Sequence, residues 1–572
     1  MELDLQNAGT IAVTASYAAH LEKFVYHAGV GNHHAALHAA SDACHAAPAL
    51  REPHYAYGQA WLALGQPARA EQAFAAALRI DPRWEEAWIN YGLCRYQQNA
   101  VEDAKSAMRQ ALRFAPGHPT ATANLGAFMR ITGQSEGAEA LLRRAIEMAP
   151  DNMGARLNLA ADLLQEERPG EALDLLDAAP ALPTDPRALR HWHLQRSLAL
   201  LQLHRPAEAR PVLAAIGSVP PTVRPLLLWR HVLLALEEGD RDRARAVATE
   251  MRTALDNMGP DGVPEHRIMG HYDLAKFWSG QNEHPTAFAH WVKGHALLKP
   301  FQPFSREEHK AFIDASIAAF PAGCFVNVAR NRDPAPVFVV GMPRSGTTLC
   351  EQIVGAHGQA HGAGERSALG DLAARLGTPE QISALGMDAL DAAAERYLSD
   401  LHALAPEAMR IVDKLPGNYL HLGLVARMLP GAKIIHCVRD PRDIGLSIFT
   451  FRFHGNHGYA HDLADLGWAI AEQQRLMEHW KKVLPNPVLT VKLSDWVTDF
   501  DGTLRRVLTL LDLPHDANCA RFHEAESRVR TVSRSQVRQP VNARGLGRWR
   551  TYEAELRPLI AELEAAGALA HW

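Results

Sequence analysis

Cysteine is scarce in this 572-residue chain: six residues, at positions 44, 94, 324, 350, 437 and 519, with no C-x-x-C pair among them. That excludes a disulfide-stapled scaffold and a clustered zinc site, and it fits a reducing compartment. No apolar run approaches the length of about 18 residues that a membrane-spanning helix needs, so no span is expected. The opening "MELDLQNAGTIAVTASYAAH" carries acids early and lacks a basic stretch followed by an apolar core. It reads as a poor secretory signal, and the expected location is cytoplasmic. Neither sign of charge dominates: 59 basic against 64 acidic residues give a net charge of -5, which offers no reason to expect nucleic acid as a partner. What is present, 47% hydrophobic and 22% charged residues, describes a globular protein, and at roughly 100–200 residues per domain it should hold two to four domains.

The N-terminal half is periodic. Pro48, Pro82, Pro116 and Pro150 stand 34 residues apart, and Gly58, Gly92, Gly126 and Ala160 keep the same interval. So do Ala70, Ala104, Ala138 and Ala172, and so do Ala77, Ala111, Ala145 and Ala179. Small residues where two helices cross, with a Pro ending the second helix, make the tetratricopeptide signature at this period. Trp88, Gly92, Ala104, Ala111 and Pro116 match one such repeat almost completely. The segment resembles tetratricopeptide repeats over 31–215, a degenerate copy with Ala287 at the helix crossing is expected at 266–300, and further helices outside the register are expected at 218–258. Stacked helix pairs expose a concave face, so the array is expected to bind a partner or acceptor; a rigid spacer or dimerisation arm is the alternative.

After "NRDPAPVF" the rhythm changes. Short apolar runs at Val337–Val340, Ile411–Val412, Lys433–Val438 and Val488–Val491 alternate with helical stretches, as in a parallel α/β sheet. The first run leads into "GMPRSGTTLCEQIV". Gly341 and Gly346 have the spacing of the phosphate-binding G-x-x-x-x-G-K-[ST] loop and Thr348 stands in its Ser/Thr place, but Thr347 stands where Lys belongs. The invited ligand is still an anion, held by backbone N–H groups, while a nucleoside triphosphate is not expected. Positive charge has moved to Arg344, whose planar fork suits a tetrahedral oxyanion.

Two more elements point to anions. In "CVRDPRDIGLSIFTF", Arg439 leaves the end of a strand and Ser447 follows eight residues on, on a helix that turns back toward the same pocket. Taken alone, Arg439 is more readily an ion pair with Asp440 or Asp443. Residues 527–552, "SRVRTVSRSQVRQPVNARGLGRWRTY", hold seven arginines and no acid, a loop composition able to fold over a polyanion, or else a solvated strip. The set calls for a ligand with two separated anionic ends.

These three motifs, in this order, resemble the sulfotransferases that use 3′-phosphoadenosine 5′-phosphosulfate (PAPS), over about 334–555. The likeness is nearest to the branch of tyrosylprotein sulfotransferases and bacterial repeat-bearing sulfotransferases. The resemblance implies that Arg344, Ser345, Gly346, Thr347 and Thr348 bind the 5′-phosphosulfate. It implies that Arg439 and Ser447 bind the 3′-phosphate, helped by Ser533 and Arg548, with Trp549 in the closing segment, and that no metal takes part. Glu365 in "HGAGERSALGDL" resembles the catalytic base, and Lys414 in "IVDKLPGNYL" the group that stabilises the leaving oxygen. For Glu365 the bland alternative is a helix cap near Ser367 or a pair with Arg366; His361 and His436 are the other base candidates. One departure stands out: the family often places an aromatic ring for adenine at the end of a late strand, where this chain has Leu493, and Trp496 is not taken as its substitute. The cluster His454, His457, His461 and Asp462 fits no standard metal spacing and is read as a polar lid loop.

The expectation is therefore an all-α tetratricopeptide solenoid over 1–300, a linker over 301–333, and an α/β P-loop-like domain with a central parallel sheet over 334–572. Its expected function is PAPS-dependent sulfuryl transfer to an acceptor hydroxyl on a peptide tyrosine, a glycan or a small molecule. The alternatives are a nucleotide-binding scaffold without turnover and, disfavoured by Thr347, a P-loop kinase.

Overall fold

The computed structural model describes residues 17–98, 100–131, 135–258, 264–453, 457–524 and 539–572. The chain divides into two compact units, Met1–Pro220 with Leu226–Val247, and Pro221–Pro225 with Ala248–Trp572.

After helices over 17–29 and His33–Ala46, the first unit is a succession of antiparallel helix pairs, beginning Arg51–Ala63 and Pro67–Ile80, then Glu85–Gln97 and Val101–Phe114. The 34-residue series take their physical meaning from a second interval. A Cβ on Gly58 would fall 2.7 Å from the Phe74 ring, one on Gly92 would collide with Met108, and one on Gly126 would lie 3.0 Å from Leu142. Ala160 shares a small core with Leu176. In each pair a small residue on one helix receives the large side chain 16 residues later, and the pairs recur every 34. Ala70, Ala104, Ala138 and Ala172 are fully buried, as close helix approach requires. Pro82, Pro116 and Pro150 each follow the end of a second helix by two residues. The fourth member of the last series breaks the pattern: the helix Pro169–Asp177 has ended before Ala179.

The second unit opens with the hairpin Pro264–Gly280 and His284–Leu298, the stretch expected as a degenerate repeat. A Cβ on Gly294 would fall 2.8 Å from the Tyr272 ring at the crossing. The sequence boundary at 300 thus differs from the division near 247. The reason lies in the hairpin's aromatic face: Phe288 stacks on Phe449 at 5.2 Å, His295 on Phe449 at 4.1 Å, and Phe288 meets Tyr552 at 5.8 Å. Where a regular repeat would offer its face to another repeat, this one offers it to the α/β domain. The segment 301–333, expected as a linker, contains the helix Arg306–Ala319.

Among the described residues the sheet has five strands: β1 (Pro336–Gly341), β2 (Ala360–Gly362), β3 (Arg410–Asp413), β4 (Lys433–Val438) and β5 (Val488–Lys492). All pairings are parallel and the order is β2-β3-β1-β4-β5. Side-chain alternation along β1 feeds two cores. Phe338 and Val340 join Ile411, Ile434 and the helices Met387–His402 and Leu463–Val483. Val337 and Val339 join Ile435, Val491 and the helices Thr347–Gly355 and Phe500–Leu510. With both faces covered, the strands read as continuous apolar runs. The exception is β2, whose half-buried "AHG" gives no such signal. Because the chain steps from β3 to β4 across β1, the winding reverses at β1, and the crevice lies at the carboxyl ends of these strands.

Candidate functional site

The turn leaving β1 is built on unusual backbone. Gly341, Arg344 and Gly346 have φ of 153°, 69° and 103°. A Cβ on Gly341 would collide with the Cys437 carbonyl oxygen of β4 and lie 2.8 Å from Ser345 Oγ; one on Gly346 would lie 3.0 Å from Leu493. Arg344 has no such licence, and a non-glycine residue in the left-handed region stores strain of order 1 kcal/mol that the surrounding fold must hold. Gly346 then caps the helix Thr347–Gly355, whose first two residues are buried. The Ser345 hydroxyl is buried with no hydrogen-bond partner among the described residues.

Arg344 Nε donates to Ser447 Oγ at 2.9 Å, so two groups expected at separate ends of a ligand touch in this structure. Arg439 Nη1 donates to the Arg344 carbonyl at 3.2 Å and Nη2 to the carbonyl of Gly545, while its buried Nε has no acceptor among the described residues. Neither expected ion pair forms through hydrogen bonds. Asp440 is taken by Arg442, at 2.8 and 3.0 Å, and Asp443 by backbone. Its two oxygens accept the Gly547 N–H at 2.6 Å and the Trp549 N–H at 3.0 Å. This carboxylate grips the residues on either side of Arg548. Burial, and then the charges of Arg439 and Arg548, bring the Arg344 guanidinium down to about 10, still protonated at neutral pH. Burial also lowers Arg439, with Asp443 opposing and Arg548 adding to it. Three guanidinium groups crowded in this way are what a polyanion would relieve. The closing segment is held further by Arg442, 4.0 Å above the Trp549 ring.

Beyond the carboxyl ends of β2 and β3 lies a second group. Lys414 has no exposed side-chain surface; its Nζ donates to Glu365 Oε1 at 2.6 Å and lies 3.6 Å from Glu351 Oε2. Glu351, on the helix that starts at the loop, accepts the Gly364 N–H at 2.7 Å. Burial raises the Glu351 carboxyl, against the pull of Lys414. Glu365 makes neither of its bland contacts: no side chain caps the helix Ala368–Leu376, and its ion partner is Lys414. Burial pushes the His457 imidazole down, while the Glu365 charge draws it back up, so His457 lies close to this pair.

Other sequence candidates fall elsewhere. Ser533 and His454 lie outside the described residues. His436 is interior to β4, pushed down to about 3 by burial, with Gln473 at 3.2 Å, and His361 is half-buried in β2. His461 bonds His295 and Gln302, both at 2.9 Å, and Asp462 caps helix Leu463–Val483. Among the described residues no group of three His, Cys, Asp or Glu side chains is placed to hold a metal ion, and no helix is long and apolar enough to cross a membrane. Leu493 packs on Gly346, and Trp496 belongs to the core beneath the sheet. Sequence reading missed Glu351 and the backbone grip of Asp443. For Glu351 the signal was an acid inside the apolar run "LCEQIV"; for Asp443 there was none.

Residues 336–517 match the model described as the Sulfotransferase family, and residues 5–187 that of the cilia and flagella-associated protein 70 C-terminal domain. An uncharacterised protein of Aquifex aeolicus is 28% identical over 347 residues, 58% of this chain and 46% of that protein, so this chain spans about half the length of that relative. Protein-tyrosine sulfotransferase 1 of Danio rerio is 24% identical over 247 residues, 38% of this chain and 66% of its own. Among solved structures, a tetratricopeptide repeat protein from Parabacteroides merdae is 17% identical, with a TM-score of 0.35 over 45% of this chain and 99% of its own. The chain thus carries a tetratricopeptide-like helical array followed by a domain that is similar to the sulfotransferase family over 336–517.

Proposed function

We propose that the second unit transfers the sulfuryl group of PAPS to an acceptor hydroxyl, on a peptide tyrosine, a glycan or a small molecule. The observation that carries this reading is the cluster of Arg344, Arg439 and Arg548 at the carboxyl ends of β1 and β4, with the buried Ser345 Oγ and Arg439 Nε lacking partners among the described residues. Such groups fit a donor with phosphate at two places. In the proposal, Arg344 with Ser345, Gly346, Thr347 and Thr348 holds the 5′-phosphosulfate. Arg439, Ser447 and Arg548, with Ser533 by resemblance, hold the 3′-phosphate, and Ser447 exchanges its bond from Arg344 for one to the ligand.

Glu365 accepts the proton of the acceptor hydroxyl. The acceptor oxygen bonds to sulfur in line as the bond from sulfur to the bridging phosphate oxygen breaks, and Lys414 meets the charge left on that oxygen. The products are a sulfate ester and adenosine 3′,5′-bisphosphate, with no metal required. The array presents the acceptor or a partner protein, and the reaction is assigned to the cytoplasm, in keeping with six free cysteines.

Calorimetric titration with adenosine 3′,5′-bisphosphate and with ATP, without added metal, tests the reading. Bisphosphate should bind tightly and ATP weakly. A preference for magnesium ATP would sink it, and tight bisphosphate binding with no release of label from sulfur-labelled PAPS to any acceptor would favour the scaffold.

A further inference from the structure

We infer that Glu351 is a positioning residue, the fixed counter-ion that holds Lys414 in place while Lys414 exchanges Glu365 for the donor's bridging oxygen. The inference rests on the sulfuryl-transfer reading above. Its starting point is an asymmetry between two carboxylates on one ammonium group. Glu351 is 3% exposed and anchored through the Gly364 N–H, whereas Glu365 is 41% exposed. One is built in; the other stands where a substrate can meet it.

In the present arrangement Glu365 Oε1 is committed to Lys414, and Lys414 to Glu365. Neither does its proposed work until the pair separates. A lysine with no exposed surface that lost its only carboxylate would be left as a buried, uncompensated charge, which is costly. Glu351 removes that cost because it stays 3.6 Å away on a different element. The Gly364 bond also ties Glu351 to the residue just before Glu365, so the departing carboxylate is held near the site. Glu351 belongs to the helix that begins at Gly346, so the anion loop and the Lys414 counter-ion move as one piece.

A sequence of events follows. An anion on the loop draws Lys414 Nζ toward the bridging oxygen, Glu351 keeps its charge balanced, and Glu365 is released to accept the acceptor's proton. As the acceptor oxygen bonds to sulfur, the electron pair of the breaking bond stays on the bridging oxygen beside Lys414. The charged and titratable groups that meet Lys414 and Glu365 are Glu351 on the loop helix and His457, while Asp413 and Arg366 are their neighbours in sequence.

The test uses the full chain. In a crystal structure with adenosine 3′,5′-bisphosphate, Lys414 Nζ should have left Glu365 and remained within about 4 Å of Glu351; a Lys414 that stays on Glu365, or that leaves both, overturns the inference. With sulfur-labelled PAPS and 4-nitrophenol as acceptor, Glu351→Gln should lower kcat roughly 10- to 100-fold with KM for PAPS little changed, and Glu351→Asp should recover part of the loss. Glu351→Gln combined with Lys414→Met should be no slower than Lys414→Met alone. Unchanged kcat in Glu351→Gln refutes the role. If the Gln variant does not fold, the bound wild-type structure still decides. Failure of wild type to bind bisphosphate at all would instead refute the underlying sulfuryl-transfer reading.

Discussion

The array and the α/β unit both depend on glycines, for different reasons. In the array, Gly58, Gly92 and Gly126 make room for a side chain, Phe74, Met108 or Leu142, arriving from the partner helix. In the α/β unit, Gly341 makes room for backbone, the Cys437 carbonyl, in a conformation that side chains rarely adopt. A side chain can turn aside; a paired strand cannot. The array is therefore a sum of similar, forgiving contacts, whereas the site is a single arrangement that one change can undo.

The largest effect should separate the two regions directly. Gly341→Ala should destabilise the second unit by about 2–3 kcal/mol and abolish bisphosphate binding. Gly92→Ala, where the flexible end of Met108 yields and helix propensity compensates, should cost about 1 kcal/mol and leave binding untouched. Thermal unfolding with and without bisphosphate reads both, and equal losses would erase the contrast. Next, Arg439→Ala should weaken bisphosphate about 100-fold, close to 2.8 kcal/mol, by titration. Because it thins a cluster of like charges, it should not lower the unfolding temperature of the unliganded protein.

Acid should act on the two regions with opposite sign. In the array, burial raises the Glu139 carboxyl, but hydrogen bonds from Arg168 and Arg143 outweigh it and hold it down to about 2, against an ordinary 4.5. Its stabilising contribution is complete above 4.5 and is lost as pH falls from there toward 2. Beside the site, burial pushes Asp413 up to about 6 from 3.8, despite hydrogen bonds from Tyr397 and Asn418. Its ionised form is a penalty that fades as pH falls through 6 toward 3.8, so the second unit should gain stability over a window in which Glu139 has lost little. Unfolding midpoints across this range, with Glu139→Gln and Asp413→Asn each flattening its own limb, check the signs. The smallest effect belongs to the contact between hairpin and closing segment. Tyr552 bonds Ser279 at 2.9 Å and His284 at 3.1 Å, and Tyr552→Phe should cost about 1 kcal/mol. Bisphosphate affinity should shift by less than about threefold; a larger shift would mean that the hairpin tunes the site.

The array was legible because its contacts are short in sequence and repeated: a 16-residue pairing every 34 residues leaves an imprint in composition that one chain displays several times. Its limit was equally physical. The hairpin 264–298 keeps the helix crossing of a repeat yet gives its aromatic face to Phe449 and Tyr552, and no local pattern says which surface an aromatic face will meet. In the α/β unit, β1, β3, β4 and β5 were readable as apolar runs, while β2, half-buried, was not. The Gly-x4-Gly spacing marked the turn after β1. The roles proposed for Glu365 and Lys414 came from resemblance, and that the two hydrogen-bond each other was not foreseen.

The sequence by itself determined the repeat period, the strand and loop order, and the replacement of the loop lysine by Thr347, because each rests on residues within a few turns of one another. Tertiary structure alone decided that Arg344 meets Ser447, 103 residues away, that Asp443 grips the backbone around Arg548, and that Glu351 and Glu365 share Lys414. These groups come from different strands and helices, and only the parallel sheet, by bringing its carboxyl ends to one edge, puts them within reach of one another.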